Sequence, residues 1–172
     1  MARLRDKAGP VSLQSVRELL APLQKQNWKI GLVRSLWNGD ITQALYAAAV
    51  EVLQQLDIPE QQCITAEVPG SFEIPLACNW LIQYHGCDAV IALGCVIKGQ
   101  TRHDEYIAHS VSQGLMQLNI QYSVPVIFGV LTVDDVEQAW ARAGGSYGNK
   151  GAEAALAALH MLALREKVRP CK

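Results

Sequence analysis

Asp88–His103, DAVIALGCVIKGQTRH, is the stretch whose reading decides the fold. An unbroken apolar run empties into Lys98-Gly99-Gln100-Thr101-Arg102-His103, and helical spacing follows from Asp104. A strand buried on both faces reads as a continuous apolar run, the mark of a parallel sheet covered on each side. A glycine-containing turn at its end, then a helix start, is how open α/β sheets build anion and ligand sites. Backbone N–H groups, a hydroxyl, two cations and an imidazole are gathered within these six residues. That is equipment for holding a phosphorylated ligand and moving a proton.

Working outward, strands and helices alternate. Lys29 to Arg34 (KIGLVR) reads as a first strand, and Ile41 to Leu56 carries apolar residues at helical spacing. Cys63 to Val68 is a second strand, cut by Pro69-Gly70. Glu73 to Tyr84 reads as a helix that tolerates Pro75 in its first turn. After the Ala89–Ile97 strand comes a helix through Ile107, Val111, Leu115 and Leu118. Val124 to Leu131 is the fourth strand, and a helix from about Asp134 to Ala143 follows. A glycine-rich turn, Gly144 to Asn149, leads into an alanine-rich helix from Gly151 to Lys167. Right-handed crossovers then predict a three-layer α/β/α sandwich with a short, flavodoxin-like, four-stranded parallel sheet. Ahead of it, Ser12 is placed to cap a short helix through Val16, Leu19 and Leu20. The expected division is an N-terminal arm over residues 1–28 and an α/β/α domain over 29–172.

Composition narrows the class. Half of the 172 residues are apolar, 18% are charged and the net charge is −1, with no block of like charges. A globular domain fits, and neither a nucleic-acid footprint nor a membrane span is expected. The low charged fraction hints at apolar surface covered by neighbouring subunits. The start, MARLRDKAGP, lacks the apolar core of a signal peptide. Cys63, Cys78, Cys87, Cys95 and Cys171 match neither a zinc motif nor a disulfide framework, so reduced thiols in the cytoplasm are expected. His85, His103, His109 and His160 form no recognisable metal cluster.

Ligands of open α/β sheets lie beyond the carboxyl ends of the strands, which singles out three loops. The first carries Trp37 and Asn38, where Trp37 is either an aromatic capping the core or a platform for a flat heterocycle. The second is Gly70-Ser71-Phe72-Glu73, which as an ordinary helix start would gain about 0.3–1 kcal/mol from Glu73 at the helix dipole. In the third, Gln100 and Thr101 offer amides and a hydroxyl to a phosphate. His103 there is either a bare helix start or a proton shuttle, because imidazole titrates near neutral pH. Arg142 and Lys150 flank the glycine-rich turn, as solvated cations or as phosphate ligands. G-x-G-x-x-G after the first strand, a Walker-type lysine loop and a G-x-S-x-G elbow are all missing.

Taken together and in order, LWN, VPGSFEIP, GCVIKGQTRHDEY, PVIFGVLT and RAGGSYGNKG resemble the lumazine synthase family, from Lys29 to the last helix. The resemblance implies a transferase of riboflavin biosynthesis that needs no metal or organic cofactor. Its substrates would be 5-amino-6-(D-ribitylamino)uracil and 3,4-dihydroxy-2-butanone 4-phosphate. By motif, His103 matches the proton-transferring histidine, Arg142 the phosphate-binding arginine, and Lys150 lies close by. Gln100 and Thr101 match the phosphate loop, and Trp37 beside Asn38 matches the aromatic that stacks on the pyrimidine. Ser71, Phe72 and Glu73 match the segment holding the ribityl chain and ring. The backbone of Cys95, Val96 and Ile97 matches the strand end that reads the pyrimidine edge, and Phe128 the residue given by an adjacent subunit. The family implies a homopentamer with sites between neighbours, and for some members a 60-subunit icosahedral shell. Relatives usually begin with an extended segment that joins a neighbour's sheet, whereas a helix is expected here. The readings weighed against catalysis are a flavin- or lumazine-binding module and a shell-forming structural protein.

Overall fold

Strand β3, Ala89–Ile97, is the spine of the molecule, and its first seven residues are all buried. The structure, a computed structural model, describes residues 11–23 and 27–169. On one side β3 pairs with β1 (Ile30–Ser35), which in turn pairs with β2 (Cys63–Val68). On the other side lies β4 (Val126–Val133), so the order is β2-β1-β3-β4 with every pairing parallel. Successive strand side chains point to opposite faces, and the core divides accordingly. Ile91 and Leu93 pack with Leu32, with Leu45 and Ala49 of α2 (Gly39–Gln55), and with Leu159 and Leu162 of α6 (Lys150–Val168). Val90 and Ala92 face Cys78 and Leu81 of α3 (Ile74–His85) and Val111 and Leu115 of α4 (His103–Tyr122). The architecture is therefore the three-layer α/β/α sandwich, flavodoxin-like in its short parallel sheet.

The N-terminal helix α1 is Leu13–Leu20, with Ser12 as its cap. The Ser12 hydroxyl accepts from the Ser15 amide at 3.1 Å, and the Ser15 hydroxyl accepts from the Ser12 amide at 2.9 Å. Its Val16 is wholly buried in the same cluster as Leu159 and Leu162, so this helix contributes to the core of the domain behind it.

Two elements differ from the sequence reading. The fourth strand was expected over 124–131 and runs over 126–133. Pro125 has no N–H to donate, and Asn119 takes over the strand's entry instead. Its side-chain amide donates to Val126 O at 2.9 Å, and its oxygen accepts from Val126 N at 2.8 Å. At the other end Val133 still pairs with Ile97. The glycine-rich turn is a small antiparallel hairpin, β5 (Ala143–Gly145) with β6 (Gly148–Asn149), after α5 (Val136–Arg142). The last helix starts at Lys150, capped by Asn149, whose side-chain oxygen accepts from the Gly151 amide at 2.8 Å. Cys171 lies outside the described residues.

Candidate active site

The carboxyl ends of β1, β2 and β3 open into a cavity of about 770 Å³. Trp37, Asn38, Ser71, Phe72, Glu73, Cys95, Val96, Ile97, Thr101 and His103 all line it, together with Gly70 and Gly99. Gln100 is exposed and does not line it. Trp37 is 73% exposed, which removes the core-capping reading of that ring. Its loop is nonetheless well held: Leu36 N and Trp37 N donate to Val68 O and Pro69 O at 2.8 and 3.1 Å. Asn38 adopts the left-handed conformation, and its side-chain amide donates to the Cys95 carbonyl at 3.0 Å. The first loop is thereby tied to the end of β2, to the second loop and to the end of β3.

The second loop makes a single 3₁₀ turn, Ser71–Glu73, before α3. The Glu73 carboxylate accepts from the Gly70 amide at 2.9 Å, so it braces the turn that carries Phe72. Ser71 is buried against β3, where a Cβ on Gly94 would stand 2.7 Å from its hydroxyl. Glycine at 94 is what lets the turn settle there. Phe72 is exposed and offers a second aromatic surface beside Trp37. Cys95 is buried in the floor, and burial pushes its thiol up to about 11, so it stays protonated at neutral pH and is no nucleophile.

Neither cation of the third loop lines this cavity. Lys98 reaches Asp134 at 3.8 Å, and Arg102 pairs with Glu105 at 2.9 Å. The lining also includes Tyr106, Ile107 and Ser110, which sequence reasoning missed. They follow His103 by three, four and seven residues, the spacing of one helix face, and that period was the available signal.

Phe128, Arg142 and Lys150 are elsewhere on the chain. They line a second cavity of about 400 Å³ along Ile127–Thr132 of β4, and the two cavities share no lining residue. Consecutive residues of both alternations face it because β4 is an edge strand with one side unpaired. Arg142 Nη1 donates to Gln138 O at 3.0 Å, and the Lys150 ammonium sits against Glu153 at 2.7 and 2.9 Å. Glu153, also missed, stands three residues beyond Lys150 on α6. Among the described residues no three His, Cys, Asp or Glu side chains converge to hold a metal ion, and no helix is long and apolar enough to cross a membrane.

One cavity thus offers aromatic faces, strand-end backbone groups, hydroxyls and an imidazole, which suits a flat, hydrogen-bonding ring with a polar chain. The other offers two cations, which suits a phosphate. Comparison with known proteins shows the family. A family model described as 6,7-dimethyl-8-ribityllumazine synthase matches residues 27–166. A protein of that name from Cytophaga hutchinsonii is 53% identical over 133 residues, covering 77% of this chain and 84% of the relative. Those of Flavobacterium johnsoniae and Xylella fastidiosa are 44% and 47% identical, covering 83% and 80% of this chain and 75% and 89% of their own lengths. The chain belongs to the 6,7-dimethyl-8-ribityllumazine synthase family.

Proposed function

We propose that this protein condenses 5-amino-6-(D-ribitylamino)uracil with 3,4-dihydroxy-2-butanone 4-phosphate, giving 6,7-dimethyl-8-ribityllumazine, phosphate and water in the penultimate step of riboflavin biosynthesis. The observation that carries the proposal is the presence, on one chain, of an aromatic, imidazole-bearing cavity and a separate cationic one. The pyrimidine stacks on Trp37, its edge meets the backbone of Cys95, Val96 and Ile97, and the ribityl chain runs past Ser71, Phe72 and Glu73. Asn38 acts by holding the Cys95 carbonyl at that edge.

The reaction proceeds by attack of the uracil amine on the ketone, dehydration to an imine, loss of phosphate and ring closure. Each step moves a proton, and His103 serves as base and acid in turn, an effect typically worth ~10²–10⁴-fold. The Gln100 and Thr101 amides, the Thr101 hydroxyl, Arg142 and Lys150 stabilise the phosphate as it leaves. Holding both substrates in one site supplies further acceleration by removing the entropic cost of their encounter. The steps are additions, eliminations and proton transfers with no net redox change, so the reading calls for no cofactor.

The two cavities are different patches of one chain, and a contact between unlike patches is head-to-tail, the kind that closes into a ring. In this reading His103 of one subunit works with Phe128, Arg142 and Lys150 of the next, in a homopentamer located in the cytoplasm. Exposed apolar residues support it: Leu76, Trp80 and Tyr84 recur every four residues on α3, with Met116 and Ile120 on α4. Light scattering separates a pentamer from a 60-subunit shell, and a stable monomer refutes both. For the activity, purified protein is incubated with the two substrates and the fluorescence of the lumazine followed. No fluorescence above the uncatalysed rate would return the protein to the binding-module or structural readings.

A further inference from the structure

The hairpin that joins α5 to α6 is folded back tightly on the helix before it. Gly144 and Gly148 have φ of +123° and +75°, and a Cβ on Gly145 would stand 2.8 Å from Trp140 O and from Ala141 Cα. Glycine at these positions lets the hairpin lie against the last turn of α5, where Tyr147 N donates to Ala141 O at 2.8 Å. That bond brings the Tyr147 ring to Arg142, whose guanidinium carbon lies 4.9 Å from the ring centroid. The ring is 62% exposed, so core packing does not explain an aromatic there. From another direction Arg142 Nη1 donates to Gln138 O at 3.0 Å. A long, flexible side chain is thus held by a π-face and a carbonyl while it lines the Phe128–Lys150 cavity.

We infer that Tyr147 is a positioning residue for the phosphate subsite, stacking on Arg142 to hold its planar fork ready for the phosphoryl oxygens. The inference rests on the reading of Arg142 as a phosphate ligand and deepens it. A guanidinium matches phosphate with paired, parallel N–H bonds, and the match is lost if the plane turns. Free rotamers must be frozen when the ligand arrives, whereas a stacked guanidinium has been ordered beforehand. Lys150 needs no such ring, because its ammonium is a point charge already held by Glu153. An exposed cation–π contact is worth about 0.5–1 kcal/mol, a two- to fivefold effect on an equilibrium.

The experiment measures the inhibition constant of inorganic phosphate against the phosphorylated substrate, with the KM of each substrate, in purified protein whose assembly size is checked by light scattering. Tyr147→Ala and Tyr147→Leu are expected to weaken phosphate binding by about two- to fivefold and to leave the KM of the uracil unchanged. Tyr147→Phe, which keeps the π-face, is expected to behave as the parent. In an Arg142→Ala background, Tyr147→Ala should add nothing. If Arg142→Ala weakens phosphate binding and Tyr147→Ala does not, the stacking role is wrong and the arginine assignment stands. If Arg142→Ala leaves phosphate binding unchanged, both fall together. Equal losses for Tyr147→Phe and Tyr147→Ala, or an undiminished loss in the Arg142→Ala background, also overturn the proposal.

Discussion

The Trp37–His103 cavity and the Arg142–Lys150 cavity are built from opposite materials. The first is walled by loops at three strand ends and by the start of α4, and carries three exposed aromatic rings, an imidazole and no lysine or arginine. The second runs along the open edge of β4, with Arg142 and Lys150 drawn from α5 and α6. Each has what the other lacks, and the chain does not join them. A ring-binding surface tolerates assembly from loops, because stacking depends on a plane. A guanidinium fork must be fixed in direction to bind an anion through paired bonds, and here both cations are held by groups from their own element or the adjoining hairpin. What the comparison teaches is that aromatic and cationic surfaces can be kept apart on one chain, and under the proposed function a second copy brings them together.

The sharpest break of that comparison is Arg142→Ala. Charge-assisted hydrogen bonds are worth about 1.5–3 kcal/mol each, so kcat/KM should fall by roughly 10²-fold, chiefly through the KM of the phosphorylated substrate. An unchanged KM in steady-state kinetics would remove Arg142 from the phosphate subsite. His103→Ala should act on the other cavity and on the other parameter. We expect kcat to drop by roughly 10²-fold, the low end for an acid–base group, because binding and orientation survive. If its KM values rise while kcat holds, His103 binds substrate and moves no proton.

Mixing those two variants tests whether the cavities belong to different chains. In randomly co-assembled rings roughly a quarter of the contacts join an intact His103 to an intact Arg142, and activity should recover to about that fraction. Recovery of nothing beyond the two parents means that one chain supplies both groups. Trp37→Ala is milder, since an aromatic stack contributes about 0.5–1.5 kcal/mol beyond area. The uracil KM should rise by about two- to tenfold and the phosphate KM should stay put.

The smallest effect is alkaline. Burial raises the Cys95 thiol from 9.0 to about 11. A thiol pKa raised by folding stabilises the folded chain below its ordinary value, and the benefit is lost as pH climbs towards the folded one. Melting temperature should therefore fall between pH 9 and 11, and Cys95→Ser should flatten part of that fall. A Cys95→Ser protein with the same alkaline slope would assign the loss to other groups.

Much of this was legible in the sequence, and the reasons are physical. The apolar run 89–97 and the helical spacing of Leu45, Ala49 and Val52 are local patterns, and local patterns place elements. Loops at strand carboxyl ends are equally readable, and they place Trp37, Ser71, Phe72, Thr101 and His103 at one end of the sheet. What stayed hidden depends on distance between remote residues. Nothing in the spacing says that Asn119 takes over from Pro125 at the start of β4. Equally silent were the pairing of Lys98 with Asp134 and the stacking of Tyr147 on Arg142. The separation of Arg142 from His103 is of the same kind: motif order is blind to which rim of the sheet a residue finally occupies.

Helix α1 carries a practical lesson for anyone trimming this chain. The stretch shared with the family begins at residue 27, after α1 has ended at Leu20. Yet Val16 has no surface left to solvent and belongs to the cluster built on Leu159 and Leu162. Expression started at the shared boundary would strip a greasy lid from α6 and leave a product prone to clump. The packed core reaches further towards the N-terminus than the stretch matched by the family model.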